Sequence, residues 1–266
     1  MKILVVGHYC HDTILTRQGA RHTLGGSAAY VSAVLDAAGA DYQVVAKAGP
    51  DFLYAGRVFR QPRIVASPTA RFVDDYRSGQ RKDRAEAVCE PIRPEDLEGS
   101  FDAGIACGIV GEVLPETLAR LRALTRHCVA DAQSVLRSVG PGGEVRLRPL
   151  SDDTASQLDW LKASRAEAAV LDVEHLRRQL SGGMVITDGP RGLRLVTRSG
   201  DVGVAAVPAA ERDPTGAGDC FLAGFTLALA SGHDPLRAAR FGAICGARAV
   251  EQDGVPVLDR DLARLV

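Results

Sequence analysis

The chain has 266 residues, 46% hydrophobic and 24% charged, enough to bury one large core or two small ones. Its 32 Lys and Arg against 33 Asp and Glu leave a net charge of -1, which removes the electrostatic case for nucleic acid or an acidic membrane surface as a partner. Six scattered cysteines without a Cys-x-x-Cys pair predict buried reduced thiols in a cytoplasmic protein, not a disulfide framework or a zinc site.

In chain order, residues 3–6 form an apolar run too short for a signal peptide and read as a first buried strand. His8-Tyr9-Cys10-His11-Asp12 follows directly, at the ligand-binding edge of the predicted sheet. His8, Cys10 and His11 could be read as metal ligands, but no partner pair at metal-site spacing appears elsewhere. Asp12 could accept two neighbouring substrate hydroxyls on one carboxylate, or simply start a turn. Residues 13–24, with Gly19 near the middle, predict a small hairpin interrupting the first strand-helix unit. Gly25-Gly26-Ser27 then opens an alanine-rich helix over 28–38, where bare backbone at a helix start could approach polyol hydroxyls.

Further on, 42–46, 105–109, 129–130 and 184–187 read as buried strands, and Leu114, Leu118, Leu121 and Leu124 around Pro115 mark a helix. Residues 63–88 carry polar, strand-like stretches around a Ser78-Gly79 turn. With 13–24 they would make a small antiparallel flap with one face toward a ligand; two solvated hairpins are the alternative. Residues 140–143 and 199–203 read as short turn clusters. The longest apolar segment, 220–230, is well short of a membrane span. Alternating strands and helices predict a parallel sheet covered on both faces, with ligands at its carboxyl ends.

Polar residues cluster after several of these strands. Asp131-Ala132-Gln133, with Arg137 four residues on, could turn an amide and a guanidinium toward an anionic or polar ligand, or Arg137 could form a surface pair with Asp131. Thr187-Asp188-Gly189-Pro190-Arg191-Gly192 could seat a nucleotide phosphate or ribose, or form a plain turn. Asp213-Pro214-Thr215-Gly216-Ala217-Gly218-Asp219 is the most informative stretch. Its Gly-Ala-Gly backbone leaves N–H groups open to an anion at the positive end of a buried helix, and Asp219 in the first turn could take a proton from an attacking hydroxyl. An ordinary helix cap is the alternative for Asp219. The Gly-x-x-x-x-Gly-Lys, dinucleotide and Gly-x-Ser-x-Gly fingerprints are all absent.

Taken in this order, these pieces resemble the PfkB, or ribokinase, family of carbohydrate and nucleoside kinases. The Asp-x-Thr-Gly-Ala-Gly-Asp signature is specific, and Gly25-Gly26 and the Thr-x-Gly-x-x-Gly of 187–192 extend the match over nearly the whole chain. The resemblance implies a ribokinase-like three-layer α/β sandwich with a mostly parallel central sheet. It also implies one kinase domain over 1–266, with a small antiparallel β lid inserted at about 13–24 and 63–88. Asp219 would be the general base, and the amides of Gly216, Ala217 and Gly218 the anion hole. Asp12, His11, Gly25, Gly26, Ser27, Gln133, Arg137 and Asp219 would surround the acceptor. Lys162, Ser164, Thr187, Asp188, Gly189 and Gly192, with Gly216 and Gly218, would meet ATP, and Glu167 would contact Mg2+ through water.

Within the family, Gly7-His8-Tyr9-Cys10-His11-Asp12, Leu24-Gly25-Gly26-Ser27-Ala28, Asp131-Ala132-Gln133, Leu161-Lys162-Ala163-Ser164 with Glu167, and Asp213-Pro214-Thr215 are similar to the myo-inositol 3-kinases. The implied activity is ATP-dependent phosphorylation of a cyclic polyol, myo-inositol first. Other sugars or nucleosides are alternative acceptors, and a non-catalytic polyol or nucleotide sensor is the remaining reading. A monovalent cation such as K+ and a homodimer paired through its lids are further implications. Two positions depart from the family pattern: Tyr30 and Ser164 stand where many members have Asn.

Overall fold

In the computed structural model, which describes residues 1–78 and 82–265, the chain leaves the central sheet early and returns to it. Strand β1 (Lys2–Val6) leads out into β2 (Cys10–Thr16) and β3 (Gly19–Gly25), and α1 (Ser27–Ala37) brings the chain back to β4 (Asp41–Val45). Short β5 (Lys47–Ala48) and β6 (Arg63–Ile64) precede a second excursion, β7 (Ala70–Asp75) and β8 (Lys82–Ala87). Then come β9 (Phe101–Ala106), α2 (Pro115–Leu124), β10 (Thr125–Asp131), α3 (Ala132–Leu136) and the hairpin of β11 (Arg137–Val139) and β12 (Val145–Leu147). Helix α4 (Asp152–Ala155), β13 (Trp160–Ser164), α5 (Arg165–Ala168), α6 (Val173–Gln179) and β14 (Gly183–Thr187) follow. The chain continues through β15 (Leu193–Thr197), β16 (Gly200–Val204), α7 (Ala217–Ala230) and α8 (Pro235–Val250).

The central sheet has the order β16-β15-β14-β13-β10-β9-β1-β4, parallel from β4 to β14 with two antiparallel strands at the far edge. Period-two alternation sends Ile3 and Val5 to one face, with α1, α7 and α8, and Leu4 and Val6 to the other, with α2, α4 and α6. This is the expected three-layer sandwich. Strand order reverses between β1, whose next partner in sequence is β4, and β9 on its other side. A crevice opens outside the carboxyl ends at such a reversal. Among the described residues no helix is long and apolar enough to cross a membrane, and all six cysteines are buried and free.

The two excursions pair as a separate four-stranded sheet, β3-β2-β7-β8, over that crevice. It is mixed, because β2 and β7 come from different excursions and run parallel, while each pairs antiparallel with its own hairpin partner. Residues 63–64, expected in the lid, instead pair with β5. The Gly79 half of the predicted turn lies outside the described residues.

Two local expectations need correction. The strand expected at 105–109 is Phe101–Ala106, because the Glu112 carboxylate accepts from the amides of Ile109 at 2.5 Å and Val110 at 2.7 Å and bends the chain away from the sheet. Residues 200–203, expected as a turn, belong to β16, whose ladder hydrogen bonds with β15 outweigh its glycines at this solvated edge.

Candidate active site

Helix α7 is apolar almost all round, and ten of its 14 residues are buried, so its first turn is fixed by the core. Its N-cap, Gly216, has φ 77° and contributes no capping side chain. A Cβ at Gly216 would strike the Tyr30 ring. The amides of Gly216, Gly218 and Asp219 have no backbone acceptor among the described residues, whereas Ala217 donates to the Pro214 carbonyl at 3.3 Å. Of the three amides expected to form the anion hole, the outer two are therefore open, and the middle one closes the turn.

Asp213 holds this loop in place. Its carboxylate accepts from Thr215 N and Gly254 N, each at 3.0 Å, and from Arg21 at 2.6 Å. Burial works against its ionisation, but these donors outweigh it and keep the carboxyl below its ordinary range.

Asp219 reaches into a cavity of about 80 Å3, which it lines with Thr215 and Gly216. Its Oδ1 is buried and has no hydrogen-bond partner among the described residues. Burial, reinforced by the negative charge of Asp131, raises its pKa to about 6 against the opposing effects of Lys162, Ser27 and Arg137. A carboxyl with a pKa near neutrality and one free oxygen suits proton abstraction.

The opposite wall brings together most of the residues expected around the acceptor. Asp12, Gly26, Ser27, Gln133 and Arg137 all line the cavity. Gly25 lies so close to Asp12 that a Cβ there would overlap its carboxylate. The Cys10 thiol donates to Asp12 Oδ1 at 2.8 Å. Gln133 Nε2 donates to Ser27 Oγ at 2.6 Å, joining the segment after β10 to the start of α1, another helix with no side-chain cap. His11 is not among them. Strand alternation turns it away from Asp12, its ring stacks on Phe52 with centroids 5.8 Å apart, and its Nε2 accepts from Leu53 N at 3.1 Å. His8, another of the three candidate metal ligands, accepts from Lys47 N at Nδ1, so its Nε2 donates to the Glu90 carbonyl at 2.9 Å.

The remaining expected residues stand at the carboxyl ends of β13 and β14. Lys162 is buried and donates to Asp131 Oδ2 at 2.8 Å, and a Cβ on Gly218 would come within 2.5 Å of its Nζ. Burial alone would favour losing its proton. The carboxylates of Asp131, Glu167 and Asp219 outweigh burial and raise its pKa. Ser164 caps α5 in a reciprocal box: Glu167 Oε2 accepts from Ser164 N at 2.9 Å and Oγ at 2.8 Å. Burial of Glu167 is offset by Lys162, Ser164 and Arg137, which hold it ionised. Thr187 pairs with Ser164 in the ladder, and Asp188 is held near a pKa of about 2 by Arg191 and Arg165. Gly189 and Gly192 take φ values of 54° and 92° in the turn that follows.

A second depression, about 590 Å3 and open to solvent, lies between β8 and the β11–β12 hairpin. No described helix begins there, whereas α7 begins at the smaller cavity.

The model of the pfkB family carbohydrate kinases matches residues 86–258, well over half of the chain. The chain belongs to the pfkB family of carbohydrate kinases. Inositol 3-kinase of Oryza sativa subsp. japonica is 43% identical over 99% of this chain and 72% of its own length. Inositol 3-kinase of Arabidopsis thaliana is 33% identical over 97% of this chain and 76% of its own. The solved structure of a pyrophosphate-dependent kinase in the ribokinase family, complexed with a pyrophosphate analog and myo-inositol, superposes with a TM-score of 0.82 at 17% identity, covering 99% of this chain and 100% of that one. At that identity it supports the fold.

Sequence reasoning missed several parts of this kinase's cavity. Phe72, Asp74 and Asp83 reach it from the lid, and Ile109 from the bend after β9. In the sequence Asp131 reads only as a surface partner of Arg137. It is instead 1% exposed and paired with Lys162. For β7 the signal existed: Ala70, Phe72 and Asp74 alternate as buried positions.

Proposed function

We propose that this chain transfers the γ-phosphoryl group of ATP to a hydroxyl of myo-inositol, giving an inositol monophosphate and ADP. The observation that carries the reading is the unpartnered Asp219 Oδ1, with the carboxyl's pKa raised to about 6, beside the open amides of an uncapped, buried helix. Membership in a carbohydrate kinase family and similarity to inositol 3-kinases over nearly all of this chain support the acceptor.

In this mechanism the acceptor ring sits between Asp12 and Asp219. Asp219 takes the proton of the attacking hydroxyl as its oxygen bonds to phosphorus. The amides of Gly216 and Gly218, with Lys162 beside them, meet the charge that develops on the transferred group. Arg137, which also lines the cavity, would contribute a second cation. Lid strands over the crevice exclude water that would otherwise hydrolyse the donor. Ser164, Thr187, Asp188, Gly189 and Gly192 form the edge along which the rest of ATP would lie.

Among the described residues no three His, Cys, Asp or Glu side chains form a metal cage. Mg2+ is held largely by phosphate oxygens and water with one or two carboxylates, and Glu167, kept ionised by Lys162, Ser164 and Arg137, is the carboxylate that would hold it through water. When bound, Mg2+ would neutralise phosphate charge. K+ and pairing of lids in a dimer stay as expectations of the family resemblance.

The test is a matrix of donors and acceptors: ATP or pyrophosphate against myo-inositol, ribose, fructose and adenosine, with phosphorylated product measured directly. Product from ATP and myo-inositol at the highest kcat/KM supports the reading. Binding of polyol and ATP without product would instead revive a sensor.

A further inference from the structure

Asp213, the first residue of the signature, is 6% exposed, and its carboxylate joins three segments that are distant in sequence. Oδ1 accepts from Thr215 N within the signature loop, while Oδ2 accepts both from Gly254 N, beyond α8, and from Arg21 Nη2 of β3. Arg21 is the lid's part of this junction. It stands opposite Ile14 in the β2–β3 ladder, two residues along from the pair Asp12↔Thr23, so its side chain leaves the same face of the hairpin as Asp12. One hairpin therefore turns a carboxylate toward the acceptor and a guanidinium toward the loop that supplies the open amides. The other ion pair of Arg21, with Asp253, is longer at 3.9 Å, and Asp253 is half exposed and already held by Arg212 at 2.7 Å.

We propose that Arg21 is a positioning residue for phosphoryl transfer: from the lid it fixes the Asp213 carboxylate, and through Asp213 and Thr215 N it fixes the amides that receive the phosphate. This deepens the function proposed above and rests on it. An ion pair between exposed groups contributes little to a fold. The Arg21 pair differs because its acceptor is buried, and because the loop that Asp213 holds has few other restraints: the amides of Gly216, Gly218 and Asp219 have no backbone acceptor among the described residues. Arg21 is not among the residues that line the cavity, so it acts through Asp213 and does not touch the acceptor. Amides aimed at charge that develops only in the transition state help only where they are already in place, and a small displacement of them costs rate more than acceptor binding.

The experiment compares wild type with Arg21→Met, Arg21→Ala and Asp253→Asn, by product formation from ATP and myo-inositol and by thermal melts. Arg21→Met should lower kcat about 10- to 100-fold and leave KM for myo-inositol within about threefold of wild type. Its melting midpoint should move by no more than about 4 °C, because the guanidinium it removes is 41% exposed. Millimolar guanidinium should restore part of the kcat lost in Arg21→Ala, where sodium chloride at the same ionic strength does not, since a free guanidinium can enter this partly open site and donate to Asp213. Asp253→Asn keeps the Asp213 contact and should keep the wild-type kcat. Wild-type kcat in Arg21→Met, a loss carried by KM alone, an equal loss in Asp253→Asn, or a large fall in midpoint without guanidinium rescue would each overturn this inference while leaving the kinase reading intact. A wild-type protein that phosphorylates no polyol overturns the proposed acceptor, and this inference with it.

Discussion

Replacing Asp219 with Asn should make the protein more stable at alkaline pH while abolishing most of its activity. The carboxyl titrates at about 6 in the fold against an ordinary value of 3.8, so the folded state holds the proton more tightly than the unfolded chain does. Stability from that proton is complete below about pH 4 and is lost as pH rises through about 6. The gap corresponds to about 3 kcal/mol at pH 8 and roughly half of that at pH 5. Asn imitates the protonated carboxyl at every pH, so the variant should melt about 6–12 °C above wild type at pH 8 for a chain of this size. That difference should shrink at pH 5 and vanish near pH 4. Turnover should fall by about 10²- to 10⁴-fold, the usual contribution of a general base. Melts of both proteins across this range, with product assays at pH 8, decide the matter. A variant no more stable than wild type at pH 8, or one whose advantage does not depend on pH, would refute the claim that Asp219 is ionised at a cost to the fold. Wild-type turnover would remove it from the chemistry.

The same titration predicts a rate profile: kcat/KM for the acceptor should rise about tenfold per pH unit below about 6 and level off above it, and a flat profile from pH 5 to 8 would contradict it. Lys162→Met leaves Asp131 buried without its cation and should cost about 3–5 kcal/mol in denaturant titrations, with the double variant Lys162→Met/Asp131→Asn recovering most of the loss. Equal midpoints for the single and double variants would show the pair is not coupled. Gly216→Ala forces a side chain onto φ 77° and into the Tyr30 ring, so it should lose about 1–3 kcal/mol of stability along with most of the turnover, read by melts and product assay.

What could be read in advance follows the chemistry of apolar runs and bare backbone. Residues 3–6 and 184–187 announce buried strands because nothing polar interrupts them, and the glycine signature announces an anion site because few other backbones can approach one. Their order along the chain then implies carboxyl ends on one side, which is why Asp12, Gly26, Ser27, Gln133, Arg137, Gly216 and Asp219 meet around one cavity. His11 was misplaced because the hairpin was started at residue 13. Begun at Cys10, the pairing Cys10↔Gly25 sets an alternation that turns His11 away whenever Asp12 faces the ligand. Similarly, β16 hid because a solvated edge strand needs no apolar face and can carry glycine.

Strand β13 was missed for a different reason, and that reason joins the fold to the proposed chemistry. Lys162 breaks an otherwise apolar run, and a charge in a central strand argues against burial unless something pays its desolvation. The partner, Asp131, ends the neighbouring strand in direct register with it, a relation visible only after the sheet is assembled. The ammonium so held lies against Gly218, where a neutral apolar side chain would pack more cheaply but offer nothing to a phosphate. Asp131 in turn adds to the negative charge that raises the pKa of Asp219. One buried pair therefore presents a cation at the open amides while weakening the acidity of the base, so the sequence interruption that concealed the strand is what couples the two halves of the proposed transfer.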